Sequence, residues 1–205
     1  MLNFVTHRDA IQPYLAELHD VLAAVPHRDV EATVELLLAT YREDCTIYIA
    51  GNGGSAATAS HFANDLAKAT IVPGQRRFRV IALTDNVPLL TAWANDSSYA
   101  DAFAEQMQPL IRPGDLFIAI SGSGNSENIL RAADVARANG AMVVGFTGFD
   151  GGKLVARCDR SVLVPCTVMA QVEDAHLIIQ HAVCSYLREV IAHAARDIST
   201  AAADG

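Results

Sequence analysis

The sequence predicts an α/β fold: a three-layer αβα sandwich on a five-stranded parallel sheet, with N-terminal helices and a long C-terminal helix. Five short apolar runs alternate with segments in which apolar residues repeat at helical spacing. Continuous apolar strands are typical of a parallel sheet that is covered by helices on both faces. Two of the runs end in loops of glycine, serine and asparagine, which is typical of the strand-to-helix turns at the ligand-binding edge of such a sheet.

The elements follow from changes in the apolar period along the chain. Residues 7–43 are predicted to be helical with a break at Pro26, because leucine and valine recur at helical spacing. The predicted strands are residues 46–50, 78–83, 116–120, 142–146 and 161–164. The later predicted helices are residues 56–69, 89–94, 127–138 and about 168–195. The chain therefore divides into an N-terminal helical segment (1–43), one α/β domain (44–197) and a flexible tail (198–205) of small and polar residues.

Composition and charge limit the class of protein. Of the 205 residues, 51% are hydrophobic, which excludes disorder for most of the chain. The net charge of −8 argues against a nucleic acid or a membrane surface as partner, because no basic block offsets the acidic excess. The four cysteines lack CxxC spacing, so we expect reduced thiols. Residues 1–20 are charged throughout and lack the apolar core of a signal peptide, so we expect a cytoplasmic protein.

Two loops carry the strongest functional signal. Residues 51–55 (GNGGS) and residues 121–126 (SGSGNS) each follow a predicted strand and precede a predicted helix. Such a loop points backbone N–H groups and small hydroxyls at one spot, where the helix N-terminus adds partial positive charge. The first loop lacks the third glycine of the dinucleotide-binding fingerprint, and no P-loop lysine follows the glycines, so no nucleotide cofactor is expected. The sequence therefore predicts a phosphorylated ligand.

Two clusters of titratable residues could carry chemistry. His61 and Asp65 lie four residues apart on the helix that begins at the first loop, so they share a face. Such a pair can bind a metal or form a base with its partner, and an exposed ion pair is the alternative. On the last helix, either Glu173 or Asp174 can project to the same side as His181. Acidic residues near the start of a helix are also explained by the helix dipole.

Other polar positions have structural explanations. His176 points away from His181, and we expect it to be packed or hydrogen-bonded. Residues 84–86 (TDN) follow the second predicted strand and are explained as a helix N-cap. Residues 95–96 (ND) are explained as a helix end with turn-forming residues.

Several spaced motifs agree in order with one family. They are GNGGS (51–55), SHFA (60–63), AND (94–96), SGSGNS (121–126), TGFDGG (147–152) and the last-helix pattern that ends at His181. With these motifs, the chain from about residue 10 to 195 resembles the sugar isomerase (SIS) domain family, and within it the phosphoheptose isomerases. The resemblance implies a flavodoxin-like SIS fold.

The same resemblance implies an activity. It is the aldose–ketose isomerisation of a sugar phosphate, sedoheptulose 7-phosphate to D-glycero-D-manno-heptose 7-phosphate, through a cis-enediol. Two alternatives stay open. One is isomerisation of another sugar phosphate, and the other is a non-catalytic SIS module that binds a phosphosugar or a protein partner.

The resemblance also implies a set of site residues. Contacts to the sugar phosphate would come from Asn52, Gly53, Ser55, Asn95, Asp96, Ser121, Ser123 and Ser126. Asp65 and His181 would form the acid/base pair, with Glu173 as a further candidate for the base. One divalent ion, zinc, would be held by His61, Asp65, Glu173 and His181. The family pattern is a homotetramer in which active sites combine residues of more than one subunit and segment 1–43 contributes to packing.

Four positions depart from the family pattern. Asp65 stands where the family has glutamate and Glu173 where it has glutamine, so Glu173 could supply the longer carboxylate that Asp65 does not. Two carboxylates with two imidazoles would also suit a divalent metal. Gly122 replaces a usual threonine, and the arginine expected shortly after position 65 is absent, with Lys68 nearby. A catalytic base displaced by about 1 Å can lose on the order of a hundredfold in rate, so these positions bear on activity and substrate.

Overall fold

The computed structural model of the chain describes the backbone of residues 11–203 and the side chains of residues 11–196. The strands are β1 (Thr46–Ala50), β2 (Arg79–Ala82), β3 (Leu116–Ser121), β4 (Met142–Thr147) and β5 (Arg160–Leu163). The helices are α1 (Ile11–Ala24), α2 (His27–Arg42), α3 (Gly54–Lys68), α4 (Val87–Asp96), α5 (Ala104–Met107), α6 (Glu127–Ala138) and α7 (Met169–Ala203), with a short 3₁₀ helix at Val155–Arg157.

The five strands form one parallel sheet in the order β2-β1-β3-β4-β5. The direction of winding reverses between β1 and β3. After β1 the chain adds β2 on one side, and it then adds β3, β4 and β5 on the other side. In open α/β sheets the crevice at such a switch point is where ligands bind. Both loops of the sequence analysis follow these two strands, so the fold places them side by side at this crevice.

Alternate residues of the strands pack into two apolar layers. Ile47 and Ile49 of β1 face a core formed with α2, α3 and α7, whereas Tyr48 and Ala50 face a core formed with α5 and α6. The residues of β3 are all buried, as expected for a strand between two neighbours and two helical layers. The predicted αβα sandwich with a five-stranded parallel sheet is confirmed.

Helix α1 lies outside this sandwich, against the start of α7. Tyr14 donates a hydrogen bond to Asp174 at 2.5 Å, and Gln171 donates to Glu17 at 3.0 Å. These two bonds attach α1 to α7. The residue pattern predicted a helix here but not the element against which it packs.

Several boundaries differ from the sequence prediction. Helix α7 continues to Ala203, past the predicted end near residue 195, so part of the segment 198–205 assigned to a flexible tail is helical. The four-residue α5 and the 3₁₀ helix were not predicted, because elements this short show no apolar period. The predicted helical residues 7–10 and the tail residues 204–205 lie outside the described residues.

Two further observations concern the cysteines and the character of the helices. All four cysteines are free, as expected, and burial raises the pKa of the Cys158 and Cys184 thiols to about 12. In the part of the chain that the structure describes, no helix has both the length and the apolar character needed to cross a membrane.

Candidate active site

The first glycine loop, residues 51–53, is a short turn from β1 into α3. Gly51 lies so close to the backbone of Ser55 that an added Cβ would overlap the Ser55 carbonyl. Gly53 has φ +57° and precedes the first residue of α3, Gly54. Since the side chain of Ser55 is buried in the first turn of α3, the loop presents mainly backbone to the crevice.

The serine loop, residues 121–126, leads from β3 into α6. The buried Ser121 donates from its hydroxyl to Ser126 Oγ at 3.4 Å, and Ser123 Oγ accepts from the backbone N–H of Asn125 at 3.3 Å. Gly124 has φ +64°, and a Cβ there would overlap the carbonyl oxygen of Gly151. The loop is therefore held in a shape that gathers three serine hydroxyls at the N-terminus of α6, where the helix dipole favours an anion.

Helices α3 and α7 bring two histidines and one carboxylate together. His61 Nε2 lies 3.4 Å from Asp65 Oδ2, and His181 Nε2 lies 3.5 Å from the same oxygen. The two Nε2 atoms lie 3.1 Å apart, with the imidazole rings edge to face. We call His61, Asp65 and His181 the His–Asp–His cluster. The fold thus joins the pair predicted on the first helix to the histidine predicted on the last.

The carboxylate of this cluster is sheltered while its imidazoles are open. The Asp65 side chain is 13% exposed, against 43% for His61 and 48% for His181. The buried Gln180 donates from its amide to Asp65 Oδ2 at 3.4 Å. Gln180 was missed by the sequence analysis, although a lone glutamine in an apolar helical run is the kind of buried polar residue that needs a partner.

Glu173 does not join the other three predicted metal ligands. Its carboxylate lies against Gly54, where an added Cβ would overlap both carboxylate oxygens. Because α3 and α7 run side by side, this contact and the contact between His61 and His181 are seven and eight residues apart, or roughly 11–12 Å along the helices. Glu173 and Asp65 therefore lie at different places on α3 and α7, and which of them is the base stays a prediction. The charge of Glu173 faces the positive end of α3.

The cluster fits a zinc ion. Ligand atoms at zinc bond lengths of about 2.0–2.1 Å in a tetrahedron lie about 3.3–3.4 Å from one another. The three separations in the cluster, 3.1, 3.4 and 3.5 Å, are close to that spacing. Two imidazoles and one carboxylate leave a fourth position for water or substrate, as in catalytic rather than structural zinc sites.

Comparison with known proteins assigns the family. The SIS domain model matches residues 13–148. The chain is 37% identical over 193 residues to the phosphoheptose isomerase of Paramagnetospirillum magneticum, a match that covers 94% of this chain and 100% of that protein. The chain belongs to the phosphoheptose isomerase family of SIS-domain proteins. Family membership identifies it as an isomerase.

Two other relatives extend this result. The phosphoheptose isomerase GmhA from Neisseria gonorrhoeae superposes with a TM-score of 0.82 at 30% identity, covering 89% of this chain and 98% of that one. The lincomycin biosynthesis protein LmbN from Streptomyces lincolnensis is 40% identical over 163 residues, which are 75% of this chain. The match covers 59% of the length of LmbN.

At one position that departs from the expected phosphoheptose isomerase pattern, a neighbouring side chain fills the space beside the backbone. Gly122 stands in the serine loop where the resemblance implies threonine, and a Cβ there would lie 2.6 Å from the sulfur of Met169. Met169, the first residue of α7, thus occupies the space beside the loop. The serine loop therefore has an apolar neighbour at Gly122.

The remaining predicted substrate contacts lie at the end of α4. Asn95 and Asp96 are exposed, and the Asn95 amide donates to Asp96 Oδ1 at 2.7 Å. Before α4, Asn86 is the N-cap and accepts from the Leu89 N–H at 3.2 Å, which confirms the N-cap expected in residues 84–86. Asp85 accepts from the Ser60 hydroxyl at 2.5 Å, so this turn is attached to α3.

An open cleft of about 640 Å³ adjoins the cluster. It runs along α7 from Asp65 and His181 toward Arg188. Its size is within the range of small-molecule sites. The cluster therefore lies at the wall of a space that can admit a ligand, although no residue of the two loops lines this cleft.

His176 is buried and structural, as the sequence analysis expected. It is 1% exposed, and its Nε2 lies 3.1 Å from the carbonyl oxygen of Thr147, so the neutral tautomer donates from Nε2. Its Nδ1 has no hydrogen-bond partner in the described residues. Burial lowers the pKa of His176 to about 4.

This histidine predicts a loss of stability in acid. As the pH falls, the unfolded chain binds a proton near the ordinary pKa of 6.5, whereas the folded chain does so only near 4. The free energy of unfolding should therefore fall between these two pH values, by on the order of 3 kcal/mol in total. Urea unfolding from pH 7.5 to 4 would measure this fall, and the free energy of unfolding of His176→Gln should fall by less over the same range. The exposed His27→Gln should follow the wild-type profile, and equal acid losses in all three proteins would contradict the prediction.

Proposed function

We propose that the protein interconverts sedoheptulose 7-phosphate and D-glycero-D-manno-heptose 7-phosphate through a cis-enediol. The observation that carries the proposal is the His–Asp–His cluster, in which His61, Asp65 and His181 converge from two helices. The cluster lies about two helical turns along α3 from the first glycine loop. The proton-transfer groups and the loop that we assign to the sugar are thus separated by roughly the length of an open-chain sugar. The names of the relatives support the heptose substrate.

Substrate binding is assigned to the two loops. The phosphate would accept hydrogen bonds from Ser121, Ser123 and Ser126 and from N–H groups at the N-terminus of α6, where the dipole stabilises negative charge. Asn52, Gly53 and Ser55 of the first loop and α3, with Asn95 and Asp96 at the end of α4, would contact the sugar. With the phosphate fixed there, the carbonyl end of the sugar would extend to the cluster, and holding it there would reduce the entropy cost of the reaction.

Proton transfer is assigned to the cluster. The Asp65 carboxylate would take the proton from the carbon next to the carbonyl, and the resulting enediol would regain it on the neighbouring carbon. In the metal-free cluster, His181, with its ring half exposed to the cleft, would carry a proton between the two oxygens as the carbonyl moves. Glu173 lies against Gly54, and we assign it no part in proton transfer.

A zinc ion would be held by His61, Asp65 and His181. It would supply Lewis-acid polarisation of the sugar oxygens.

A homotetramer with active sites built from more than one subunit also belongs to this proposal. It is supported by apolar side chains that the single chain leaves exposed. They are Ile11 and Leu15 on α1, at 72% and 52% exposure, and Ile178 and Tyr186 on α7. Packing of residues 1–43 against a second copy would bury such a surface and close the cleft beside α7. A sugar-phosphate substrate, which does not cross membranes unaided, is consistent with a cytoplasmic protein.

A second candidate is an isomerase of another sugar phosphate. The observation that favours it is Met169 beside Gly122, because an apolar side chain in place of a hydroxyl changes what the serine loop accepts. Sugar phosphates of different chain length would reveal this preference.

The decisive experiment is proton exchange in deuterated water. With sedoheptulose 7-phosphate, the wild-type protein should incorporate deuterium at the carbon next to the carbonyl and form the aldose. No exchange with this sugar but exchange with another ketose phosphate would establish the second candidate. Binding of phosphate esters without exchange in any of them would instead establish a non-catalytic binding module.

Metal analysis tests the assignment of the zinc ligands. We expect about one zinc per chain in the wild type and a loss of most of it in His61→Ala and His181→Ala, since each removes one of three protein ligands. Glu173→Gln is the matched control and should keep its zinc, because its carboxylate lies at Gly54. Elemental analysis of the purified proteins would measure this. Zinc content that falls in Glu173→Gln as far as in His61→Ala would contradict the three-ligand site.

A further inference from the structure

One tyrosine connects the loop between α4 and α5 to the first glycine loop. The hydroxyl of Tyr99 donates to Oδ1 of Asn52 at 2.7 Å, across 47 positions of the chain. The Tyr99 residue is 50% exposed, so its contact with Asn52 is not explained by packing in a core. Because this hydrogen bond lies at the edge of the expected ligand crevice, a role in ligand binding would explain it.

The amide of Asn52 is also paired with Asn128, at the start of α6. Asn52 Nδ2 donates to Asn128 Oδ1, and Asn128 Nδ2 donates to Asn52 Oδ1, both at 2.9 Å. The backbone N–H of Ile129 donates to Asn128 Oδ1 at 3.0 Å. Because a backbone N–H can only donate, it fixes which end of the Asn128 amide is oxygen, and the reciprocal pair then fixes Asn52. Asn128 is 2% exposed, so it holds this orientation away from water.

The Asn52 amide therefore has one group left for a ligand. Its Oδ1 accepts two hydrogen bonds, from Tyr99 and Asn128, and one of its two N–H groups donates to Asn128. The second N–H is the remaining donor. A hydroxyl or carbonyl oxygen of a sugar phosphate is the matching acceptor.

The loop that carries Tyr99 is itself anchored to α6. Asp101 accepts from the hydroxyls of Ser97 and Ser98 at 2.6 and 2.7 Å and from Arg131 of α6 at 2.5 Å. The two serine hydroxyls and the Arg131 guanidinium lower the pKa of Asp101 to about 2, so the anchor stays charged at neutral pH. Tyr99 is thus held in place by the same helix whose N-terminus carries the serine loop.

We propose that Tyr99 is a positioning residue, which acts through Asn52 by aiming the free N–H of that amide at an oxygen of the bound sugar. The inference rests on the proposed function, since it takes an open-chain sugar phosphate as the ligand of the first glycine loop. It couples three segments, the α4–α5 loop, the first glycine loop and α6. None of the sequence motifs contains Tyr99.

Kinetics of matched variants test the proposal. Tyr99→Phe removes one hydroxyl and keeps the ring, and we expect KM for sedoheptulose 7-phosphate to rise about tenfold while kcat changes less. Tyr41→Phe is the control and should leave both unchanged, because the Tyr41 hydroxyl donates to the backbone carbonyl of Arg76 at 2.9 Å, at the edge of the sheet opposite the two loops. In an Asn52→Ala background, Tyr99→Phe should have no further effect, because the amide that it positions is gone. Effects of the two substitutions that simply add would overturn the proposal.

A second readout does not depend on turnover. In the full chain without substrate, the side-chain amide NMR signals of Asn52 and Asn128 should shift in Tyr99→Phe and not in Tyr41→Phe. An unchanged Asn52 signal would overturn the proposal. A wild-type protein without isomerase activity would overturn only the proposed function. In that case the Kd for sedoheptulose 7-phosphate, measured by calorimetry, replaces KM for Tyr99→Phe, Asn52→Ala and the double variant. Additive effects on Kd would overturn the proposal, and the absence of a further effect in the Asn52→Ala background would support it.

Discussion

Replacement of Asp65 by asparagine should lower kcat for isomerisation by about 10²- to 10⁴-fold, the range for loss of a general base. The carboxylate lies 3.4 and 3.5 Å from the two imidazoles, and asparagine fills the same space without a basic oxygen. The amide can still meet Gln180, so the fold should be kept. Deuterium exchange and steady-state kinetics would measure the effect, with bound metal determined on the same samples.

Glu173→Gln is the matched control for this prediction. The substitution also removes one carboxylate from α7, but that carboxylate lies against Gly54, outside the His–Asp–His cluster. We expect its kcat to stay within a few-fold of the wild type. A large loss in Glu173→Gln with little loss in Asp65→Asn would make Glu173 the base and would reverse our assignment.

Gly124→Ala should be the most damaging substitution in the serine loop. At φ +64° any side chain is strained, and here the added Cβ would also overlap the carbonyl oxygen of Gly151. Strain of about 1–2 kcal/mol and overpacking of about 1–3 kcal/mol together predict a loss of about 2–5 kcal/mol in the free energy of unfolding. Since relief of the overlap requires the loop to move, KM for the sugar phosphate should also rise.

Gly74→Ala separates strain from overlap. Gly74 has φ +77° but nothing within 4 Å of an added Cβ, so only the conformational cost of about 1–2 kcal/mol applies. Urea unfolding of both variants would measure the difference. Equal losses in the two variants, or an unchanged KM in Gly124→Ala, would show that the contact with Gly151 does not shape the loop.

The elements of the sheet could be predicted because their signals are local. β1 and β3 are continuous apolar runs that stop at glycine or serine, so their limits could be predicted to within a residue. The pair His61 and Asp65 was predictable for the same reason, since four residues of helix place both side chains on one face. The family resemblance supplied the link from this pair to His181.

The position of Glu173 shows where spacing stops being informative. Spacing placed either Glu173 or Asp174 on the same side of α7 as His181, and the family resemblance assigned Glu173 to the metal site. Spacing along a helix gives an angle around the axis, but it does not bring side chains together along the axis. The partner of Glu173 is decided by α3, where Gly54 leaves room for its carboxylate.

The sequence alone determined the class of fold, the two loops predicted to bind an anion and two of the three residues of the cluster, because each depends on residues that are near neighbours in the chain. Only the tertiary structure decided which groups meet: Asp65 with His181 and Gln180, Glu173 with Gly54, and Tyr99 with Asn52. Each of these contacts joins segments separated by 47 or more positions, and packing of helices and loops on the sheet sets their distance. Residue order fixes local geometry, whereas the chemistry of this site depends on how separate elements pack.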